Sequence, residues 1–423
     1  MKFVGDFHIH SKYARATSKD MNLENLDKWA KIKGIGVISP GDFTHPLWFK
    51  ELQEKLEPAE QGLYKLKGSS LGTRFILTTE ISCIYSKGGQ VRKVHLLIFA
   101  PSLEAVAKIN AQLGVRGNLK ADGRPIIGID SVDVVKIALA ASPDCMVIPA
   151  HAWTPWFAVF GSKSGFNSLQ ECFGDYTQYI YGIETGLSSD PAMNWRLSQL
   201  DTITLISNSD SHSLAKIGRE ANVFDTEVSY GGIAEAIKKK DPAKFLFTVE
   251  FFPEEGKYHY DGHRLCQISM KPEESKQHNN ICPKCGRPLT IGVMNRVAEL
   301  ADRPFDSAQG KEKGNMPKGA IPFKSLIPLE EIIADSFGVG VASKRVREEY
   351  EKMIHSIGNE FSILLDTDES TLKAAALPEV AAGILRVREG KVHIEPGYDG
   401  EYGKIEIFKA GEQQKLTTQK SLF

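Results

Sequence analysis

The chain has 423 residues and a mass of 46.8 kDa, which at about 150 residues per domain suggests roughly three domains. Hydrophobic residues make up 42% and charged residues 25%, which excludes a mostly disordered chain, a collagen and a disulfide miniprotein. Lys plus Arg number 52 against 53 Asp plus Glu, so a globally basic nucleic-acid coat is excluded and a local basic face is not. No uninterrupted apolar run reaches the ~20 residues of a membrane helix. His and Asp interrupt the opening MKFVGDFHIHS too early for a secretory signal. The expectation is a soluble, cytoplasmic protein of several domains.

Over residues 1–250 short apolar runs alternate with amphipathic stretches. The expected strands are Lys2–Phe7, Gly36–Ser39, Phe75–Ile81, Val94–Phe99, Met146–Pro149, Ile180–Glu184 and Ile203–Ser207. Helical patterns between them include Asn22–Lys33, Ser131–Ala141 and Pro191–Gln199. Such β–α alternation argues a parallel sheet or a barrel, folds in which chemistry gathers at the C-terminal strand ends. Those ends carry GDFHIHS, SPGDFTHP, TTEIS, KVHLLIFAP, IPAHAW, GIETG and SNSDSHS, and a motif on every strand favours a barrel over an open sheet. Residues 251–325 are rich in Pro, Gly and Lys, with little periodicity, and FDSAQGKEKGNMPKG reads as an exposed loop. Within 326–410, Leu329–Phe337 and Lys344–Ile357 are strong helical patterns, and Gly383–Ile407 alternates like a small β element. Residues 411–423 read as a flexible tail.

The histidines cluster in the first half. His8-Ile9-His10 puts two imidazoles on one face of a strand end, because strand side chains alternate with period two. Asp210-Ser211-His212 repeats the device. His45, His95 and His151 lie near other strand ends, as do Asp42, Glu80 and Glu184. Imidazole nitrogen with carboxylate oxygen, and no thiolate, suits Zn, Mn or Fe. More than one ion is expected, with a bridging carboxylate such as Glu80, and such a cluster activates water and clamps a phosphate.

The cysteines divide in two. Cys83, Cys145 and Cys172 sit in apolar contexts and read as buried thiols. Cys266, Cys282 and Cys285 cluster, the last two in a CPKC knuckle, and such clusters in a cytosolic chain bind metal more often than they pair. A tetrahedral structural zinc needs a fourth ligand. His263 fits at an H-x-x-C spacing, and His259 is the alternative.

The series HIHS, GDFTH, TTEIS, KVH, PAHAW, GIETG and SDSH resembles the PHP (polymerase and histidinol phosphatase) superfamily of metal-dependent phosphoesterases over roughly residues 1–235. The resemblance implies an α/β fold, a distorted (β/α)7 barrel with a di- or trinuclear metal cluster. By position it makes His8, His10, Glu80, His95, His151, Asp210 and His212 ligands, and Asp42 or His45 a further one. The family has adjacent Asp-His at its second motif, whereas Phe43 and Thr44 separate the pair here. The catalytic group it implies is His8, His10, Asp42, Glu80, His151 and Asp210.

GKYHYDGHRLC, CPKCGRPLTIGVMNRVAELADR and GAIPFKSLIPLEEIIA extend the resemblance to the endonuclease Q family, to about residue 380. It implies a DNA repair endonuclease that nicks 5′ of deaminated bases (hypoxanthine, uracil, xanthine) and of abasic sites. A small-molecule phosphatase of the histidinol phosphate type would need no metal module or long extension, and a non-catalytic DNA-binding protein would not need both the HxH and SDxH pairs. The implied order is a barrel over 1–250, a Cys/His zinc module over 251–325 and a mainly helical DNA-binding domain over 326–410. Zn2+ is expected in the module and the barrel, with Mg2+ or Mn2+ for catalysis. Reading a damaged base requires taking it out of the stack, into an aromatic or apolar pocket. Trp153 and Trp156, on the loop after His151, are the candidate DNA contacts. Phosphate contacts are expected from Arg264, Lys284 and Arg287 on the module and from Lys344, Arg345 and Arg347 after GVGVAS, a turn that resembles helix-hairpin-helix grips. Gln419-Lys420-Ser421-Leu422-Phe423 resembles the start of a box that binds the PCNA sliding clamp, without its closing aromatic pair.

Overall fold

The computed structural model describes residues 1–303, 316–409 and Glu412. Most of the FDSAQGKEKGNMPKG segment, and the clamp-box residues Gln419–Phe423, lie outside the described residues.

The seven expected strands are present as β1 (Lys2–Asp6), β2 (Val37–Ile38), β3 (Arg74–Lys87), β4 (Gln90–Ala100), β5 (Met146–Pro149), β6 (Gly182–Glu184) and β7 (Thr204–Ile206). They neighbour one another in that order. β1, β2 and β3 are parallel, β3–β4 and β4–β5 are antiparallel, and β6–β7 is parallel. Between β5 and β6 the ring is joined by Ala152 N donating to the Glu184 carbonyl at 2.9 Å. It returns to β1 through the parallel Ile9–Ser211 bridge. The outer edge of β1 carries the antiparallel strand Ala221–Asp225, followed by Phe245–Glu250 and then Phe323–Ser325.

Strict β–α alternation fails between β3 and β4. β3 runs straight into β4 as a hairpin, with Lys87 opposite Gln90. Gly88 and Gly89 form its two-residue turn with φ of 61° and 74°, the backbone such turns require and L side chains resist. The helix expected at Pro191–Gln199 is a single turn, Pro191–Asn194. The helices Leu23–Lys33, with Asn22 as its cap, and Ser131–Ala141 stand where expected.

An aromatic plug fills one end of the ring. Phe7 meets Phe99 edge-on with centroids 5.8 Å apart and also packs on Phe224, which stacks on Phe245 at 4.5 Å. Gly5 makes room for it, since a Cβ there would lie 2.4 Å from the Phe7 ring. Cys83, Cys145 and Cys172 are buried free thiols. Among the described residues, no helix is long and apolar enough to cross a membrane.

The segment after the ring pairs Asp261–His263 with Ile268–Met270 and adds the helices Pro272–Gln277 and Val293–Leu300. Buried Asp261 organises it, accepting from Gly292 N at 2.6 Å, from Asn295 and from the Ser275 hydroxyl. Further on are the helices Leu329–Phe337, Lys344–Ser356, Glu369–Ala375 and Pro378–Arg388. The last replaces the start of the expected β element at Gly383. Its apolar residues Val380, Ala381, Ile384 and Val387 are buried at helical spacing, and only His393–Glu395 and Lys404–Glu406 pair as strands.

These helices dock on the ring through a buried ion pair. Lys33 and Glu360 are 3% and 6% exposed, with N···O 2.7 Å. The same Glu360 oxygen accepts from the Tyr350 hydroxyl at 2.7 Å, and the other from Leu329 N at 3.1 Å. Removing one partner of such a pair strands a charge and costs about 3–5 kcal/mol. Lys33→Ala should lower the thermal midpoint and expose the 326–410 helices to protease, read by limited proteolysis. An unchanged digestion pattern would refute the docking role.

Candidate metal centre

At three strand ends the chain enters left-handed backbone on a residue other than glycine. Asp42 has φ 49°, His151 φ 29° and Asp210 φ 45°. Each such conformation costs about 1–3 kcal/mol and persists only where the surroundings hold it. All three residues contribute a side chain to one buried cluster at the mouth of the ring.

Glu80, 1% exposed on β3, stands at its centre. Its Oε1 lies 2.6 Å from His95 Nδ1 and 3.0 Å from His151 Nε2. Its Oε2 lies 3.3 Å from His10 Nε2, 3.6 Å from His8 Nε2 and 3.1 Å from Arg124 Nη1. Asp210 Oδ1 sits 3.0 Å from His10 Nε2 and 3.6 Å from His8 Nε2. Two donor groups result: His8, His10, Glu80 and Asp210, and Glu80, His95 and His151, with the donor atoms of each within 4.8 Å of one another. Glu80 belongs to both.

The outer nitrogens are already committed. His8 Nδ1 faces both Glu184 oxygens at 3.0 Å, and Glu184 also accepts from His151 N and Asn208 Nδ2 at 2.8 and 2.9 Å. His10 Nδ1 faces Asp42 Oδ1 at 3.0 Å, and Asp42 Oδ2 accepts from Ser11 N at 2.6 Å. Carboxylates behind imidazoles fix the tautomer that leaves Nε2 free for a cation. His8 Nε2 is buried and makes no hydrogen bond, as a nitrogen kept for a metal would be. Burial, the largest influence on His95, pushes its imidazole down to about 4. Burial drives Glu80 upward, but His95, Arg124 and His8 outweigh it and hold the carboxyl well below its usual range.

Asp42 and His45 are both outside the two donor groups. Asp42 stands behind His10, while His45 caps the helix Pro46–Lys55 and stacks on Tyr13 with centroids 4.4 Å apart. His212 lies beside His10, centroids 4.5 Å apart, with Nδ1 3.0 Å from the Asp210 carbonyl oxygen. It is partly exposed at the mouth and also outside the donor groups.

The second candidate site is the Cys/His segment. One donor atom from each of His263, Cys266, Cys282 and Cys285 lies within 4.8 Å of the others, His263 Nδ1 being 3.6 Å from Cys285 Sγ. Three thiolates and an imidazole form a closed tetrahedral donor set. Gly286, at φ 71°, turns the knuckle so that its N–H donates to the Cys282 carbonyl at 2.9 Å. His259 is buried against Tyr260 and stands outside this group.

One expected DNA contact is corrected. Trp153 is 1% exposed, stacks on Phe160 and donates to Asn194 Oδ1 at 2.7 Å, so it is core and cannot meet a strand. Trp156 is 41% exposed, edge-on to Tyr258 at 5.6 Å. Arg264, Lys284 and Arg287 are exposed around the knuckle, and Lys284 Nζ donates to the Cys266 carbonyl at 2.8 Å. Lys344, Arg345 and Arg347 are exposed on the first turn of their helix, with Arg345 over the Phe337 ring. Arg124 was not expected: it comes from a loop without a motif, and nothing in its sequence context points to Glu80. Asn208 lay unmarked inside SNSDSHS.

Residues 328–391 match a family model described as the MJ0043 C-terminal domain. The chain is 35% identical to the uncharacterized protein MJ0043 of Methanocaldococcus jannaschii over 262 residues, 60% of this chain, and spans 31% of that protein's length. It is 29% identical to the uncharacterized protein YqxK of Bacillus subtilis, over 96% of this chain and 99% of the relative. A crystal structure of Endonuclease Q in complex with a 27-mer duplex substrate with an abasic lesion at the active site superposes with a TM-score of 0.81 at 31% identity, covering 98% and 100% of the two chains. The lesion-specific endonuclease PfuEndoQ from Pyrococcus furiosus superposes with a TM-score of 0.84. With 30% identity to that enzyme over 99% of each chain, and one fold from end to end, the chain belongs to the endonuclease Q family.

Proposed function

We propose that this chain is a metal-dependent endonuclease that nicks DNA on the 5′ side of deaminated bases (hypoxanthine, uracil, xanthine) and abasic sites. One observation carries the reading: a single buried carboxylate, Glu80, is shared by two donor groups in a mouth reached by partly exposed Asp210 and His212. Such a donor set suits divalent ions, which would supply an activated water and neutralise charge as a phosphodiester is displaced. The full-length likeness to an enzyme seen with an abasic duplex supports DNA as the substrate.

The residues take these roles. His8, His10, Glu80, Asp210, His95 and His151 would hold the ions, and His212 at the mouth would be a further ligand. Asp42 orients His10, and Glu184 orients His8 and the backbone of His151. Mg2+ or Mn2+ suits the oxygen-bearing positions, and Zn2+ the imidazoles. The Cys/His segment takes a structural Zn2+. Trp156, beside Tyr258, offers an aromatic face to an unstacked base, and the exposed Arg and Lys of the module and of the helix at Lys344 offer phosphate contacts.

Labelled duplexes carrying one deoxyinosine, deoxyuridine or abasic site should each give a single nick with Mg2+ or Mn2+. Intact duplexes under every divalent ion, with hydrolysis of small phosphomonoesters instead, would replace the reading with a phosphatase. His8→Ala or Asp210→Ala should abolish the nick while leaving lesion-duplex binding in a gel-shift assay. Trp156→Ala should weaken lesion cleavage by roughly tenfold or more, the value of one lost base–aromatic stack at about 1–3 kcal/mol, without moving the melting temperature. Cys282→Ser should lower the zinc content by one ion per chain, measured by elemental analysis, and an unchanged content would remove the structural zinc.

A further inference from the structure

We propose that Arg124 is a catalytic residue of this site, a protein cation that grips a non-bridging oxygen of the phosphate being cut. The inference rests on the endonuclease reading above.

Arg124 Nη1 lies 3.1 Å from Glu80 Oε2, the oxygen that also faces His8 and His10. Among the described residues its side chain donates to Glu80 alone, so most of its five N–H donors have no protein partner. The side chain is 29% exposed while Glu80 beneath it is fully buried. A guanidinium kept only to neutralise Glu80 would gain by burial and further bonds. This one lies across the opening, with donors left for something that enters.

The loop beneath is built to hold it there. Asp122, 8% exposed, accepts from Arg124 N and Arg15 N at 3.1 and 3.2 Å. Gly123 N donates to the Tyr13 carbonyl at 3.1 Å, and the Thr44 hydroxyl donates to the Gly123 carbonyl at 3.3 Å. Gly123 presses so closely on Asp42 that a Cβ would lie 2.4 Å from Asp42 Oδ2 and 2.9 Å from Ala14 N. Asp42 in turn holds His10. The loop that carries Arg124 is therefore fastened to the same carboxylate that aims a metal-facing imidazole, so cation and donors keep one relative geometry.

The chemistry needs such a group. In the displacement a water oxygen bonds to phosphorus, its proton passes to a neighbouring base, and the sugar oxygen leaves with the bonding pair and takes up a proton. Arg124 makes and breaks no covalent bond. The charge on the non-bridging oxygens has to be met by fixed donors, and a planar guanidinium meets two of them at once.

Arg124→Ala should lower the single-turnover nicking rate about 10²–10³-fold, the usual cost of one such donor. Metal content per chain should stay unchanged, and lesion-duplex affinity should fall only several-fold, far less than the rate. Arg124→Lys should keep part of the rate, and added ethylguanidinium should restore part of the alanine variant's. Binding gives a second readout in the non-cleaving His8→Ala background. There a duplex with the native scissile phosphate should bind several-fold tighter than one with an uncharged methylphosphonate, and adding Arg124→Ala should erase the difference. A rate loss that merely tracks lost metal, or discrimination that survives the substitution, would overturn the inference. Wild-type protein that cuts no lesion duplex overturns the endonuclease reading itself, a distinct result in the same assay.

Discussion

A carboxylate with 1% exposure in the middle of a strand is a costly thing to bury, and Glu80 is tolerable only because cations and imidazoles surround it. Its neighbours come from the segment after β1, from β4, from the turn after β5 and from the loop at Arg124. They are far apart in sequence, so the site exists only when the ring is closed. The ring in turn brings β5 beside β6 and β7 back to β1 at single bonds, not full ladders. Glu184 supplies cement at the first joint, accepting from His151 N while its own carbonyl takes Ala152 N. Site and scaffold thus share the same bonds.

Much of this was legible in the chain because strand ends advertise themselves. An imidazole that closes an apolar run is rare enough that HIH, VH, AHAW and SDSH mark the cluster in the sequence itself. The strand limits held to within a few residues for most of the ring, as apolar runs bounded by polar motifs leave little freedom. The β3–β4 hairpin was written equally plainly, as Gly88-Gly89 between alternating residues.

Other features had no local signature. Trp153 and Trp156 look alike in sequence, two aromatics on one loop, yet one is core and the other is edge. Their fates depend on Asn194 and Phe160 for the first and Tyr258 for the second, which no periodicity reveals. Arg124 is equally silent, because its role comes from Gly123 packing on Asp42, a contact between loops about eighty residues apart in sequence. Gly383 disguises a helical period: a Gly in a helix packed against Ser336 and Ile332 resembles a Gly turn in sequence, although the buried positions around it recur at three and four.

The Cys/His segment has a mechanical claim on the metal centre as well as a surface charge. The loop that starts at His151 and carries Trp156 is held to the ring by a few bonds to β4 and by the bonds of His151 N and Ala152 N to Glu184 on β6. Arg296, 7% exposed on the helix Val293–Leu300, donates to the Phe160 carbonyl at 3.0 Å, the Phe166 carbonyl at 3.1 Å and Asn167 Oδ1 at 2.8 Å. A second brace is Tyr258, edge-on to Trp156. The start of that helix is tied through Gly292 and Asn295 to Asp261, which lies two residues before His263. A folded knuckle therefore sets the position of the helix, the helix clamps the loop, and the loop begins at a donor of the ring. An accessory metal in that segment would act on the proposed cleavage without touching it, by limiting where Trp156 and the backbone of His151 can go.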